Sequence, residues 1–238
     1  MEVDEKVGGA GVLVAFTGRR GGVSEPPYDT LNLAAKVGDD VGAVEENRRR
    51  VAEALGYEPQ ALALARQVHG TDVLTVEGQT GLVGTGDGLV TDSTEPVLGL
   101  LTADCAPVVL DSPEGVFAVA HAGWVGLLGG VLERTVGEMR AMGASEIRAV
   151  LGPCIRAECY EFGPDDLDRV ALRLGDGVRS ATASGAPALD MAAGVRAALA
   201  SVDVHQVDDV GVCTACSPDH FSWRSRGEQE RQATVVWR

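Results

Sequence analysis

The chain has 238 residues, enough for one large domain or two small ones. Its 20 Lys and Arg against 35 Asp and Glu give a formal net charge of −15, which argues against nucleic-acid binding and against an anionic membrane as partner. No apolar stretch approaches the ~18 residues of a transmembrane helix, and Met1 to Lys6 lack the features of a signal peptide. We therefore expect a cytoplasmic protein whose five cysteines, an odd number, are reduced.

Strand-like and helix-like segments alternate along the chain, and several strands follow one another directly. We therefore predict one compact domain over residues 1–238, a mixed α/β sandwich with mixed sheets. The predicted strands are 12–16, 62–68, 73–76, 88–91, 97–101, 107–110, 116–120, 147–151 and 209–213. Helices are predicted at 41–55, with Asp39 or Asp40 as N-cap and Gly56 at the end, and at 127–142, 165–174 and 190–200. A hairpin is predicted from 221–224, a turn at 226–227, and 232–237.

Three predicted strands end in residues that can bind a metal or transfer a proton. His69 follows the strand 62–68, and His121 follows the strand 116–120. The apolar segment from Val97 to Ala103 ends at Asp104 and Cys105. Sheets hold such residues rigidly at strand ends, where loops admit a ligand. Two imidazoles and a thiolate suit zinc or copper, and three protein ligands leave a fourth position open for catalysis. Each residue alone is more often structural, so both interpretations stay open.

The same atoms allow a second chemistry. Cys105 could act as a nucleophile with His121 as its base, oriented by Asp104 or Asp87. The sequence does not separate this cysteine-hydrolase arrangement from a metal site.

Four other cysteines offer weaker patterns. Cys213 and Cys216 have CxxC spacing, but no second Cys or His pair accompanies them, so the sequence favours core cysteines. Cys154 and Cys159 are too few for a closed zinc site.

Positive charge collects at the C-terminal end of this acidic chain. Residues 221–238 contain four arginines and two glutamates, Arg224 among them. Guanidinium groups match phosphate geometry, so this segment is either an anion site or a solvated edge strand. Trp124, in a Gly-rich segment, could stack on a base or cover the core.

Eleven short blocks of the sequence form a joint pattern. They are RQVHG (66–70), GDGLVTD (86–92), TADCAPV (102–108), HAGW (121–124), LGPCI (151–155), CYEFG (159–163), FSWR (221–224), RQA (231–233), LNL (31–33), VGDD (37–40) and ENR (46–48). With these blocks the chain resembles, from about residue 12 to 237, the bacterial laccase-like family. That family was once called multicopper polyphenol oxidases and is now regarded as purine nucleoside phosphorylases with adenosine deaminase activity.

The resemblance implies an α/β fold related to cysteine hydrolases and one zinc ion bound by His69, Cys105 and His121. By position in the matching blocks, the implied pocket residues are Arg66, Asp87, Cys154, Tyr160 and Arg224. Trp124, from the Gly-rich segment, is a further candidate substrate contact. Asp87 or Glu161 is the candidate for proton transfer. One departure is Val125, where the family usually has Arg after HAGW; Arg156 is a candidate replacement.

The leading hypothesis is a zinc enzyme, with copper as an alternative metal, acting as both transferase and hydrolase. Phosphate, bound by Arg66 and Arg224, would cleave adenosine, inosine, guanosine or methylthioadenosine into base and sugar 1-phosphate, and adenosine would also be deaminated by a metal-activated water. Three alternatives remain: a copper-dependent phenol oxidase, a cysteine hydrolase of cell-wall precursors, and a catalytically silent binding protein. We expect a monomer or small homo-oligomer whose partners are a purine nucleoside and phosphate.

Overall fold

The computed structural model describes residues 3–7, as backbone, and residues 11–238. Met1 and Glu2, part of the segment used above to exclude a signal peptide, lie outside the described residues. The strands described are β1 (Val3–Val7), β2 (Leu13–Thr17), β3 (Leu62–Arg66), β4 (Val73–Thr75), β5 (Gly81–Thr85), β6 (Gly88–Thr91), β7 (Val97–Thr102), β8 (Ala106–Asp111), β9 (Phe117–Ala122), β10 (Arg148–Leu151), β11 (Arg179–Ala181), β12 (Pro187–Leu189), β13 (Val207–Asp209) and β14 (Gln232–Trp237). The helices are α1 (Val41–Leu55), α2 (Trp124–Gly129), α3 (Val131–Ala141), α4 (Pro164–Leu174), α5 (Met191–Ala200) and α6 (Trp223–Arg226).

Two six-stranded mixed sheets form the centre of the fold. The first sheet has the order β1-β2-β14-β7-β3-β5, and the second has the order β13-β10-β8-β9-β6-β4. In the first sheet β3 runs parallel to both β5 and β7, whereas β14 is antiparallel to β2 and β7. A small hairpin of β11 and β12 lies outside both sheets. The predicted mixed α/β fold with mixed sheets is confirmed.

Alternation along the strands builds a four-layer sandwich. In β9, Phe117 and Val119 pack between the two sheets, while Ala118 and Ala120 face the helices α2 to α5. The opposite face of the first sheet packs against α1. Successive side chains of a strand point to opposite faces of its sheet, so each face of the sheet buries a different group of apolar side chains. The sandwich therefore leaves its functional side chains at the strand ends.

Helix α1 begins and ends where the sequence predicts. The side chain of Asp40 accepts a hydrogen bond from the backbone N–H of Ala43, and Gly56 takes the left-handed conformation at φ 74°. Aspartate at the N-cap and glycine after the last turn each satisfy backbone groups that the helix leaves free. None of the helices in the described part of the chain is both long and apolar enough to cross a membrane.

Three predicted elements differ in the structure. The single helix predicted at 127–142 is two helices, because Gly130 between them has φ 93°. The strand predicted at 209–213 is β13 and ends at Asp209. The predicted hairpin is wrong: residues 223–226 form α6, capped by the hydroxyl of Ser222, and β14 pairs with β2 and β7 instead.

Candidate active site

A cavity of about 530 Å³ opens where the ends of the two sheets meet. His69 lies in the loop after β3, Cys105 in the turn between β7 and β8, and His121 within β9. All three line the cavity. One ligand atom from each residue lies within 4.8 Å of the other two, so the fold brings together the three residues singled out in the sequence. A cavity of this size is typical of a small-molecule site.

A buried carboxylate holds two of these residues in place. Oδ1 of Asp87 lies 2.8 Å from Nδ1 of His121 and accepts the backbone N–H of His69 at 2.9 Å. Its Oδ2 accepts the N–H groups of Val68 at 3.2 Å and Gly70 at 2.7 Å. His69 has φ 58°, a left-handed conformation that costs a non-glycine residue energy unless its surroundings hold it. Asp87 therefore fixes the loop of one histidine and the ring of the other.

The charges in this cluster favour a thiolate at Cys105 facing a protonated imidazolium at His121. Burial alone raises the pKa of the Cys105 thiol, but His121 and His69 outweigh burial and bring this pKa to about 6. Burial likewise opposes protonation of His121, yet Cys105 and Asp87 raise its pKa to about 9. The pKa of Asp87 is lowered, because the hydrogen bonds from His121 and from the backbone outweigh the effect of burial. At neutral pH, Asp87 is therefore ionised and Cys105 is readily deprotonated.

Position 123 has little room for a side chain. A Cβ there would lie 2.8 Å from Cδ2 of His69 and 3.3 Å from the sulfur of Cys105. The first distance is too short for a real contact. Gly123 thus lets the start of α2 approach the cluster directly.

A second buried carboxylate braces the cavity wall beside Cys105. Asp104 has φ 90°, and its Oδ1 accepts the hydroxyl of Thr214 at 2.7 Å. Its Oδ2 accepts the backbone N–H of Arg224 at 2.6 Å, and its carbonyl accepts the N–H of Ile155 at 2.9 Å. Asp104 therefore ties the turn of Cys105 to two distant segments that also line the cavity.

Aromatic rings and arginines complete the wall. The guanidinium of Arg224 lies 4.9 Å from the ring centroid of Tyr160, a cation–π contact. Trp124 packs edge-to-face against Phe162, with ring centroids 5.4 Å apart. Arg231 lines the same cavity. Flat apolar surfaces beside guanidinium groups can hold a planar ring and an anion together.

The predicted site residues divide into two groups. His69, Cys105, His121, Trp124, Tyr160 and Arg224 line the cavity. Asp87 and Cys154 are buried outside its lining, and Arg66 and Glu161 are exposed outside it. Val125 is 44% exposed, and its suggested replacement Arg156 pairs with Asp209 at 3.0 Å instead of reaching the cavity.

Sequence reasoning did not select three polar or aromatic residues of the wall: Gln67, Trp223 and Arg231. Each lies in one of the sequence blocks noted above, and the first two directly adjoin the selected residues Arg66 and Arg224. Only the fold shows that Arg231, directly before β14, and Arg224, in α6, meet at the same cavity.

Comparisons with known proteins find similar sequences and similar structures. A family model described as multi-copper polyphenol oxidoreductase laccase matches residues 13–238. The purine nucleoside phosphorylase of Streptomyces coelicolor is 42% identical over 232 residues, covering 95% of this chain and 96% of that protein. The purine nucleoside phosphorylase YfiH of Escherichia coli is 38% identical over 95% of this chain and 94% of its own. Among solved structures, YlmD from Geobacillus stearothermophilus has a TM-score of 0.88 at 32% identity, covering 96% of this chain and 92% of that one.

Proposed function

Since the chain belongs to the multi-copper polyphenol oxidoreductase laccase family, with curated relatives named purine nucleoside phosphorylase, we propose that it cleaves purine nucleosides with phosphate. The products are the free base and a sugar 1-phosphate. The observation that carries the proposal is the cavity itself, where aromatic rings and two arginines surround the His69, Cys105 and His121 cluster. Stacking surfaces suit a purine, and guanidinium groups suit phosphate.

Within this cavity the residues divide the work by chemistry. Trp124, Tyr160 and Trp223 offer faces or edges to the base. Arg224 and Arg231 bind phosphate and hold its charge near the sugar. Because the chain has a net charge of −15, its overall field repels phosphate, and a local cluster of positive charge has to attract the anion. Holding nucleoside and phosphate in reacting positions converts a bimolecular step into an effectively unimolecular one. Arg66, exposed outside the cavity, has no part in this proposal.

His69, Cys105 and His121 fit a zinc ion. Their ligand atoms converge, Gly123 leaves the cluster uncrowded, and Asp87 occupies Nδ1 of His121 so that its other ring nitrogen remains for a metal. A low thiol pKa at Cys105 supplies an anionic sulfur ligand at neutral pH. Zinc bound there would supply a Lewis acid and an acidified water, the chemistry that adenosine deamination requires.

Asp87 is a positioning residue in this proposal. It sits behind His121, away from the cavity, and its oxygens already accept four hydrogen bonds. Glu161 is exposed outside the cavity and is not assigned a role. A single domain over residues 1–238, a cytoplasmic location and a monomer or small homo-oligomer stay predictions from the sequence.

A turnover assay tests the function. Purified protein is incubated with inosine or adenosine, with and without inorganic phosphate, and base, sugar 1-phosphate and inosine are quantified. We expect base release that depends on phosphate, and conversion of adenosine to inosine without phosphate. Phenol oxidation in place of nucleoside cleavage would support a copper oxidase, and no turnover of any substrate would support a binding protein; either result contradicts the proposal.

A cysteine hydrolase is the second candidate, because one observation favours it. The site contains a possible catalytic triad, with Cys105 as nucleophile, His121 as base and Asp87 as the carboxylate that orients the base. The pKa of Cys105 is about 6, so the nucleophile is readily deprotonated. Protein stripped of metal by a chelator separates the candidates. Amide hydrolysis that survives chelation and stops when Cys105 is alkylated would establish the hydrolase.

A further inference from the structure

A second cluster of metal-binding side chains lies apart from the candidate active site. The sulfurs of Cys159, Cys213 and Cys216 and a carboxylate oxygen of Glu158 all lie within 4.8 Å of one another. The sulfurs of Cys159 and Cys216 are 3.2 Å apart, and the sulfur of Cys216 is 3.9 Å from Oε1 of Glu158. The sequence shows Cys213 and Cys216 as an unaccompanied CxxC pair. The fold supplies the missing partners from a segment 57 residues earlier.

The spacing matches a closed tetrahedral site. Zinc–sulfur bonds of ~2.3 Å at tetrahedral angles place two sulfurs about 3.8 Å apart and a sulfur and an oxygen about 3.6 Å apart. The observed 3.2 Å and 3.9 Å lie close to these values, so small side-chain adjustments would admit an ion. Four protein ligands from two chain segments are typical of a structural zinc site, in contrast to the three-ligand active site.

Cys213 is buried, but packing alone does not explain Cys159 and Cys216. Cys216 is exposed and Cys159 is half-buried, whereas a core cysteine is buried. A divalent cation bound by these sulfurs would deprotonate them and hold the two segments together. The backbone N–H of Arg156 already donates to the sulfur of Cys213 at 3.4 Å, as is common around metal-bound thiolates.

We propose that Glu158, Cys159, Cys213 and Cys216 bind a structural zinc ion, separate from the ion expected at the active site. The ion would join a segment that lines the cavity to a second segment that is hydrogen-bonded to the cavity wall. Tyr160, which lines the cavity, directly follows Cys159. Thr214 lies between the two CxxC cysteines.

The second segment reaches the active site through a short chain of hydrogen bonds. Thr214 donates its hydroxyl to Asp104, and Asp104 accepts the backbone N–H of Arg224. Arg226 also donates to the carbonyls of Thr214 and Ala215, at 3.3 Å and 3.0 Å. A zinc ion at the cluster would therefore stabilise the wall that carries Arg224, without touching the substrate.

The test begins from a background in which the active-site cluster cannot bind metal. The full-length variant with His69→Ala and Cys105→Ala is purified under reducing conditions and dialysed against metal-free buffer. Elemental analysis should find about one zinc per chain, the content of one closed site. Adding Cys216→Ser should lower this to below about a tenth of an equivalent, because a closed site needs all its ligands. Cys154→Ala, which removes a buried cysteine outside the cluster, should leave the zinc content unchanged.

Cobalt provides a readout that does not depend on the folding of the Cys216→Ser variant. Cobalt added to the zinc-free background protein should give intense thiolate-to-metal charge-transfer bands and the visible bands of tetrahedral cobalt. Glu158→Gln, at an exposed position, should weaken cobalt binding roughly 10- to 100-fold while retaining the thiolate bands.

Two results would overturn the proposal. One is folded background protein without zinc that gives no thiolate bands with cobalt. The other is a disulfide between Cys159 and Cys216, found by peptide mass analysis in freshly isolated and zinc-free protein. The second result would make the pair a redox pair instead of metal ligands.

Discussion

Replacing Asp87 by Asn should weaken metal binding at the active site far more than it disturbs the rest of the fold. The Asp87 carboxylate accepts hydrogen bonds from three backbone N–H groups and faces Nδ1 of His121. An amide has one acceptor oxygen, and its NH₂ must point at groups that are themselves donors. At least one contact of the loop of His69 or of the ring of His121 is therefore lost.

The size of the effect follows from what those contacts do. A hydrogen bond to a charged group contributes about 1.5–3 kcal/mol, and loss of a carboxylate behind a metal-binding histidine typically lowers metal affinity about 10- to 100-fold. That range equals about 1.4–2.7 kcal/mol of binding free energy. We expect Asp87→Asn to lower zinc affinity within this range and to lower the melting temperature of the metal-free protein as well.

Competition with a chelator measures the zinc affinity of the active site. The His69→Ala variant, assayed in parallel, gives the zinc bound outside the active site, and this amount is subtracted. Asp111→Asn is the matched control. Asp111 is a buried aspartate at the far end of β8 from Cys105, and it pairs with Arg148 at 2.7 Å. Its loss should reduce stability but not zinc affinity. Unchanged affinity in a folded Asp87→Asn protein, or an equal loss in Asp111→Asn, would refute the positioning role.

Three further substitutions test other parts of the structure. Gly123→Ala should lower the free energy of unfolding by about 1–3 kcal/mol and reduce the zinc content of the active site, as thermal unfolding and metal analysis would show. Its control is Gly137→Ala in α3, where a Cβ meets open space, and this change should stabilise the protein by about 0.5–1 kcal/mol. Arg224→Lys should raise the KM for phosphate roughly 10- to 150-fold but leave deamination nearly unchanged; equal losses in both reactions would remove the phosphate assignment. Burial raises the pKa of Asp209, but hydrogen bonds from Arg156 and the backbone lower this pKa more. The pair of Asp209 and Arg156 therefore stabilises the protein fully above the unfolded carboxyl pKa of about 3.9. Its contribution is lost as the pH falls through the lower pKa of the folded state. Asp209→Asn should thus melt at a lower temperature than the parent at pH 7, and the gap should close in acid; a gap that persists at low pH would contradict the pairing.

The sequence predicts the fold best where one local signal decides the structure. Helix α1 carries its own N-cap at Asp40 and its own terminating glycine. Residues 221–224 carry a misleading signal, since Phe-Ser-Trp-Arg alternates like a strand. Ser222 instead caps a helical turn, and Glu228 accepts its N–H at 2.7 Å. That choice depends on contacts six residues away and was not visible in the alternation.

The candidate site shows the same division. His69, Cys105 and His121 could be selected because each follows an apolar strand, and strand ends converge in an α/β fold. Asp87 was one of two candidates to orient His121, but its hold on the loop of His69 could not be derived, because it depends on the left-handed backbone at His69. The cluster of Glu158, Cys159, Cys213 and Cys216 was missed because Cys159 and Cys216 are 57 residues apart. A metal site can be recognised from sequence only when both of its ligand pairs have a known spacing, and here only the CxxC pair does.

The place of β14 in the first sheet constrains how the protein is made. Among the described strands, the antiparallel pair of β1 and β2 connects to β7, β3 and β5 only through β14. The ribosome synthesises β14 after the other described strands of that sheet. A growing chain therefore holds two unjoined half-sheets with open edges. Contacts between β2 and β14, such as the hydrogen bond from the N–H of Ala233 to the hydroxyl of Thr17, join residues 216 positions apart, and pairing over such a separation is slow. Arg231 directly precedes the same strand, so a nascent chain also lacks part of the cavity wall. Catalytic competence should thus appear only after translation has passed β14, and the exposed edges before that moment are where chaperones would be expected to bind.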